Sequence, residues 1–107
     1  MRDMFLGCSS LVTLNLRGFD TSNVNNMSFM FSACQKLVNL DISTFDTSNV
    51  TNMNWMFGNC EALTTLNLSK FNTANVTSFG SMFSNCKKLT SIDVSNFNTS
   101  KADSIAW

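Results

Sequence analysis

Four cysteines are the residues of this chain that are most able to react or to bind a metal. They lie at Cys8, Cys34, Cys60 and Cys86, always 26 residues apart. In a chain that coils with this period they would stack about 4.8 Å apart, within the separation that a disulfide tolerates. The spacing allows two disulfides between neighbouring units or, as we favour, a column of buried thiols, since free cysteine packs like a small apolar residue. Zinc is not expected, because its sites gather ligands in close pairs.

Two carboxylates come next, because they share a position in adjacent repeats. Asp20 and Asp46 are 26 residues apart and could together bind a cation or share a proton. Asn72 and Asn98 fill the same position in the later repeats, so a role in capping the loop backbone accounts for all four residues. The chain has no histidine, which removes the commonest general base and metal ligand. We therefore expect no enzyme activity, no catalytic residues, no metal and no cofactor.

The whole sequence follows the same 26-residue period without insertion or deletion. We divide the single repeat array 1–107 into units 1–26, 27–52, 53–78 and 79–104, with 105–107 starting a fifth. A fixed period of this length is typical of stacked units that each contact only their neighbours.

Each unit combines two hydrophobic periods. Met27, Met30, Phe31 and Cys34 lie at i, i+3, i+4 and i+7, which predicts two turns of α or 3-10 helix. In residues 37–43, polar Asn39, Asp41 and Ser43 then alternate with apolar Leu40 and Ile42, which predicts a short strand that pairs in parallel with the next unit. The sequence therefore predicts an α/β solenoid with a short parallel β-sheet on one face and short α/3-10 helices on the other.

Turn-forming residues fill the rest of each unit. We expect one asparagine column to lie inside the loop and to bond backbone groups of its own or the next unit; its members are Asn23, Asn49 and Asn75. A threonine column at Thr21, Thr47, Thr73 and Thr99 is expected to bond locally, although regular threonine arrays make an ice-binding surface a remote third function. The Asn-x-Ser/Thr sequons are weak indications of glycosylation because they follow from the repeat; they begin at Asn26, Asn49, Asn67, Asn75 and Asn98.

Small polar residues of the alternating stretches form what we call the candidate binding face. Its members are Thr13, Asn15, Arg17, Asn39, Asp41, Ser43, Thr65, Asn67, Ser69, Ser91, Asp93 and Ser95. Arg17 is the only strong anchor among them. Such a face would bind a partner weakly and multivalently, or it is simply solvated. Trp55, beside the buried stripe, is the best candidate for an exposed aromatic contact.

Charge and hydropathy exclude several partners. Seven basic residues balance seven acidic ones, and the basic residues are scattered, so we expect no nucleic-acid partner. No apolar run approaches the roughly 18 residues of a membrane span, and no signal peptide precedes the first unit. Neither end carries the polar unit that usually caps a repeat array. We therefore interpret the chain as a piece of a longer array, or as one trimmed to repeat boundaries. Uncapped repeats of this kind could associate end to end.

The string Phe45-Asp46-Thr47-Ser48-Asn49-Val50-Thr51-Asn52-Met53, with its Leu-x-x-Leu and Met-Phe-x-x-Cys flanks, resembles the BspA-like leucine-rich repeats of bacterial surface proteins and lipoproteins. The resemblance spans the chain and departs from the pattern mainly at Lys101, Ala102 and Ile105. It implies a right-handed leucine-rich-repeat coil, at the cell surface or secreted, that acts in adhesion or in binding a protein or glycan. The alternative function is a purely structural spacer array that carries other domains.

Overall fold

The computed structural model describes residues 2–90, 92, 94 and 96–102. Its backbone is a stack of coils, one for each 26-residue repeat, held together by hydrogen bonds between neighbours. The Phe5 amide donates to the Met30 carbonyl at 2.9 Å, and the Phe31 amide donates to the Met56 carbonyl at 2.9 Å. Because these bonds recur at the same position of successive coils, each coil positions the next.

Two short strands lie side by side in the first two coils. Strand β1 spans Thr13–Asn15 and strand β2 spans Asn39–Asp41, and they pair in parallel with Leu14 beside Leu40. Isolated parallel bridges join Asn26 to Asn52 and Asn52 to Ser78 elsewhere in the stack. The strands are short because the polar residue that ends each one turns back to accept the amide two residues later.

The predicted α/β solenoid with helices on one face is wrong. The described residues contain no helix, and β1 and β2 are the only strands among them. In the second coil, the amides of Met27, Phe29, Phe31 and Ala33 donate to carbonyls of the following coil. An α-helix that starts at Met27 would use the Phe31 and Ala33 amides for bonds to the residues four positions earlier. A segment that gives alternate amides to its neighbour therefore forms consecutive turns instead.

Left-handed backbone conformations direct this run of turns. One column of positive φ, between 54° and 60°, contains Asp3, Phe29, Trp55 and Ser81. A second column, between 57° and 73°, contains Gly7, Ala33, Asn59 and Asn85. Such residues interrupt a right-handed helix. The apolar spacing of the sequence predicts correctly which side chains of this stripe are buried. It does not distinguish a helix from a run of turns, because both can bury the same side chains.

The core consists of similar layers, one for each coil, and is most fully buried in the second and third coils. Met27, Met30, Phe31 and Cys34 are fully buried, which confirms the predicted apolar stripe. The phenylalanine of this stripe stacks on its equivalents through the whole stack, with ring centroids 5.6 to 5.8 Å apart, in the column Phe5, Phe31, Phe57 and Phe83. Each large side chain therefore packs against a copy of itself, so a change in one layer is felt in the next.

Candidate binding face

The candidate binding face follows β1, β2 and the equivalent segment of the third coil. Its exposed members are Thr13, Asn15, Arg17, Asn39, Ser43, Thr65, Asn67 and Ser69, and Asp41 is half-buried. The pairing of β1 with β2 places Thr13 beside Asn39 and Asn15 beside Asp41. The structure thus brings together the residues of the first two coils that the sequence assigned to this face. Ser91, Asp93 and Ser95 lie outside the described residues.

Side-chain oxygens on this face also shape the backbone. Asn15 Oδ1 accepts the Arg17 amide at 3.0 Å, and Asn67 Oδ1 accepts the Ser69 amide at 3.0 Å. Asp41 Oδ1 accepts both the amide and the hydroxyl of Ser43, at 3.1 and 2.7 Å. These turn bonds do not use the amide group of either asparagine or Oδ2 of Asp41. These are the groups that could contact a partner.

One ion pair crosses the candidate binding face. Arg17 Nε lies 3.8 Å from Asp41 Oδ2 in the next coil. The Ser43 hydroxyl and amide, together with the Arg17 charge, hold the pKa of Asp41 below its ordinary value. An exposed pair of this kind adds little to stability. It does place a positive and a negative group side by side on the face.

Asp20 and Asp46 cap loops, which is one of the two roles that the sequence suggested for them. Each Oδ1 accepts the amide and the hydroxyl of the serine two residues later, at 3.0 and 2.6 Å. Asn72 and Asn98 accept the equivalent amides in their own coils. The serine hydroxyls lower the pKa of both aspartates, so each is ionised at neutral pH and they share no proton. Among the described residues, no group of three or more His, Cys, Asp or Glu could hold a metal ion.

Three members of the threonine column, Thr21, Thr47 and Thr73, are buried and join neighbouring coils, whereas Thr99 is exposed. The Thr47 hydroxyl donates to the Asn72 carbonyl at 3.0 Å and accepts the Asn72 amide at 2.8 Å. Thr21 makes the same pair of bonds to Asp46, and Thr73 makes them to Asn98. All three threonines are only 1% exposed. The sequence predicted bonds within a loop; the bonds run between coils, and these hydroxyls form no ice-binding surface.

The asparagine column lies on the surface, whereas the sequence placed it inside the loop. Asn23, Asn49 and Asn75 are all exposed. The amide group of Asn49 donates to the Ser22 carbonyl at 2.8 Å, and that of Asn75 donates to the Ser48 carbonyl at 2.9 Å. On the outside of the stack, these side chains therefore link each coil to the preceding one.

The cysteines form a column of free thiols. Cys34 and Cys60 are buried, and Cys8 and Cys86 are half-buried. Each of the last three thiols donates to a phenylalanine carbonyl of the preceding coil, at 3.1 to 3.2 Å. Burial raises the pKa of Cys34 to about 11 and that of Cys60 to about 12. A thiol with so high a pKa is a poor nucleophile at neutral pH, because the thiolate is the reactive form.

Trp55 is half-buried and belongs to an aromatic pair. Its ring stacks on Phe29 of the preceding coil, with centroids 6.2 Å apart and planes 4° apart. A Cβ placed on Gly58 would overlap Trp55 Cε3, so the ring lies directly against the Gly58 backbone. Both aromatic residues adopt a left-handed backbone. The Trp55 indole is therefore partly exposed to solvent and is not a fully exposed contact surface.

A family model described as "Mycoplasma protein of unknown function, DUF285" matches residues 1–106. The chain belongs to this family. No curated protein and no solved structure matches the DUF285 chain. Within its described part, the DUF285 chain contains no helix long and apolar enough to cross a membrane.

Proposed function

We propose that this DUF285 chain is a non-catalytic binding module that presents the candidate binding face to a protein or glycan. Its repeat string resembles the BspA-like repeats of bacterial surface proteins, which supports a location at the cell surface or outside the cell. The proposal requires no cofactor, because recognition would depend on hydrogen bonds and charge alone.

The observation that carries this proposal is the way the structure uses its polar side chains. The reactive or hydrogen-bonding groups inside the stack, such as the Cys60 thiol and the Thr47 hydroxyl, are buried and bonded to the backbone. On the candidate binding face, by contrast, Asn15, Arg17 and Asn39 are exposed, and the strand register places Asn15 beside Asp41 and Asn39 beside Thr13. A row of fixed polar groups on a rigid frame reduces the entropy that binding would cost.

A partner would bind this face through repeated weak contacts. Asn15 and Asn67 each offer an amide group, and Arg17 and Asp41 add one charge of each sign. Because each coil offers a similar set, contacts on several coils would add through effective concentration rather than through one strong anchor. An extended protein strand or a linear glycan matches such a row.

The repeat itself supplies substitutions that test this proposal without disturbing the backbone. Arg17→Ser places the residue found at Ser43 and Ser69, and Asp41→Asn places the residue found at Asn15 and Asn67. We expect the double variant to bind a responding glycan or extracellular protein about fivefold or more weakly, measured by surface plasmon resonance over a defined panel.

The matched control is Ser48→Ala, which places the residue of Ala74 in a loop away from the candidate binding face. This variant should bind like the wild type. Equal binding by the face variant and the wild type, or no binding to any member of the panel, would contradict the proposal.

A structural spacer is the second candidate function, and one observation favours it. Backbone bonds between coils continue from Phe5 through Phe31 and Phe57 to the Met82 carbonyl, at 2.9 to 3.0 Å. Such a continuous ladder gives a rigid rod that could separate other domains. The spacer predicts that the candidate binding face can be altered without loss of any binding, so the experiment above distinguishes the two functions.

A further inference from the structure

A tight turn follows the cysteine in each of the second, third and fourth coils. The Leu37 amide donates to the Cys34 carbonyl at 3.2 Å, and the Leu63 amide donates to the Cys60 carbonyl at 3.3 Å. Leu89 closes the equivalent turn of the fourth coil at 3.1 Å. In the second and third coils, the cysteine and the leucine of the turn are fully buried. The two residues between them therefore lie at the tip of a turn that the core anchors on both sides.

The three turn tips carry side chains that differ from coil to coil, unlike the core beneath them. Their residues are Gln35 and Lys36, then Glu61 and Ala62, then Lys87 and Lys88. These tips hold three of the seven basic residues of the chain, together with its only glutamate. Because the rest of the repeat is polar but sparsely charged, the turn tips are where the chain places charge most densely.

A cleft with a volume of about 210 Å³ opens between these tips. It is lined by Gln35, Glu61, Ala62, Lys87 and Lys88. Ala62 lies in one column with Lys36 and Lys88, and its single methyl group leaves space where the neighbouring coils carry a lysine. Pockets for drug-sized ligands measure roughly 300–1,000 Å³. The cleft therefore fits one small unit of a ligand rather than a whole one.

The charged groups of the cleft are available to a ligand. Lys87 Nζ lies 3.9 Å from Glu61 Oε2, which is longer than a hydrogen bond, so both groups can bond elsewhere. Lys88 forms no ion pair within the described part of the chain. Two ammonium groups can together bind one carboxylate through charge-assisted hydrogen bonds. The Glu61 carboxylate only accepts, and the Gln35 side chain has a carbonyl oxygen that accepts, so both suit hydroxyl donors.

We propose that this cleft binds the acidic unit of a glycan, which is a sugar with one carboxylate and several hydroxyl groups. The sugar carboxylate would contact Lys87 and Lys88, and its hydroxyls would donate to Glu61 and Gln35. An acidic peptide or a doubly charged phosphate fits less well, because each brings further negative charge toward Glu61. The anchored turns reduce the entropy that binding costs. The cleft shares no residue with the candidate binding face, so this inference goes beyond the proposed function and does not depend on it.

The first test is a nuclear magnetic resonance titration of the chain with D-glucuronate. We expect a dissociation constant on the order of millimolar, with shifts of the backbone amide signals of Gln35, Ala62 and Lys88. D-glucose, which lacks the carboxylate, should bind at least about fivefold more weakly. Equal binding of the two sugars, or no saturable shift with D-glucuronate, would overturn the proposal.

The second test uses substitutions that the repeat itself supplies. Lys88→Ala copies Ala62 and should weaken D-glucuronate binding at least about fivefold, because it removes one of the two ammonium groups. Lys70→Thr copies Thr44 and is the matched control, since it removes the same charge from an exposed position outside the cleft. This control should bind like the wild type. Equal weakening in the two variants would show a general effect of charge and would contradict a site at the turn tips.

The candidate binding face supplies a further control. The double variant with Arg17→Ser and Asp41→Asn leaves the cleft unchanged and should bind D-glucuronate like the wild type. A loss of binding in this variant would place the sugar on the candidate binding face and would overturn the inference. Failure of the proposed function is thus read from the face variant, and failure of this inference is read from Lys88→Ala.

The third test examines the hydroxyl contacts. The wild type should prefer D-glucuronate to acetate by about fivefold or more, because acetate has the carboxylate without the hydroxyls. Glu61→Gln copies Gln35 and removes the repulsion of anions, so acetate should bind it at least as tightly and the preference should fall. An unchanged preference would overturn the role of Glu61. Tighter binding of inorganic phosphate or of triglutamate than of D-glucuronate by the wild type would overturn the proposed class of ligand.

Discussion

Thr47 holds Asn72 of the next coil by both of its backbone polar groups, donating to the carbonyl at 3.0 Å and accepting the amide at 2.8 Å. The hydroxyl lies in the interior, where Thr47 is 1% exposed. The same arrangement links Thr21 to Asp46 and Thr73 to Asn98. In each of the first three coils, one side chain thus satisfies both backbone polar groups of a residue in the next coil and links the two coils.

Thr47→Val should therefore destabilise the chain strongly. The variant keeps the shape of the side chain but leaves the amide and carbonyl of Asn72 without a partner. Each unsatisfied buried group costs about 1–3 kcal/mol, so we expect a loss of roughly 2–4 kcal/mol in the free energy of unfolding. Urea denaturation followed by circular dichroism measures it. The control is Thr51→Val, because Thr51 is exposed and only donates to the Asn25 carbonyl; similar losses at both sites would contradict a special role for Thr47.

The buried thiols should make the fold sensitive to alkali. Burial raises the pKa of Cys34 to about 11 and that of Cys60 to about 12, above the ordinary value of 9.0. The folded state therefore holds these protons more tightly than the unfolded state does. Their contribution to stability is complete below pH 9.0 and is lost as the pH rises toward 11 and 12.

We expect the urea midpoint to fall between about pH 8 and about pH 10.5, and to fall less in Cys60→Ala. Thiol titration at neutral pH should show Cys8 and Cys86 reacting before Cys34 and Cys60, which should react only on unfolding. Four thiols of equal reactivity in the native protein would show that the column is open to solvent.

The loop cap at Asp46 should make stability depend on pH at the acid end. The Ser48 hydroxyl and amide lower the pKa of Asp46, so its stabilising effect is present above the ordinary pKa of 3.8 and is lost as the pH falls. Asp46→Asn keeps an acceptor, as Asn72 does naturally, and should unfold like the wild type at neutral pH but lose less at about pH 3. Asp46→Ala removes the acceptor and should be less stable at both pH values. Thermal midpoints at the two pH values decide this, and a wild-type pH profile in Asp46→Asn would refute it.

Gly58 should tolerate a side chain only when Trp55 is absent. A Cβ at this position overlaps Trp55 Cε3, so Gly58→Ala should cost about 1–3 kcal/mol through overpacking. In a Trp55→Ser background, which copies Ser81, the same change should cost much less, as expected where Ser84 occupies the equivalent position. A double-mutant cycle from urea unfolding gives the coupling energy. Additive losses would show that the ring moves away freely.

The sequence by itself determined which apolar side chains are buried and which carboxylates cap a loop. The period of 26 residues places Met27, Met30, Phe31 and Cys34 in the core, where all four are fully buried. The aspartate at position 46 could be assigned to loop capping because asparagine replaces it in later repeats. Both inferences succeed because they depend on local chemistry that repeats in each coil.

Only the tertiary structure decided where the backbone hydrogen bonds go. The amides of Phe29 and Phe31 bond to the next coil, and so the predicted helix gives way to turns. For the same reason the Thr47 hydroxyl is buried between coils, and the Asn49 side chain reaches a carbonyl of the preceding coil from the outside. The spacing of apolar residues indicates which side chains are buried. A helix and a run of turns can both bury the same set of side chains. The choice between them depends on a partner about one repeat away, which exists only once the coils have stacked.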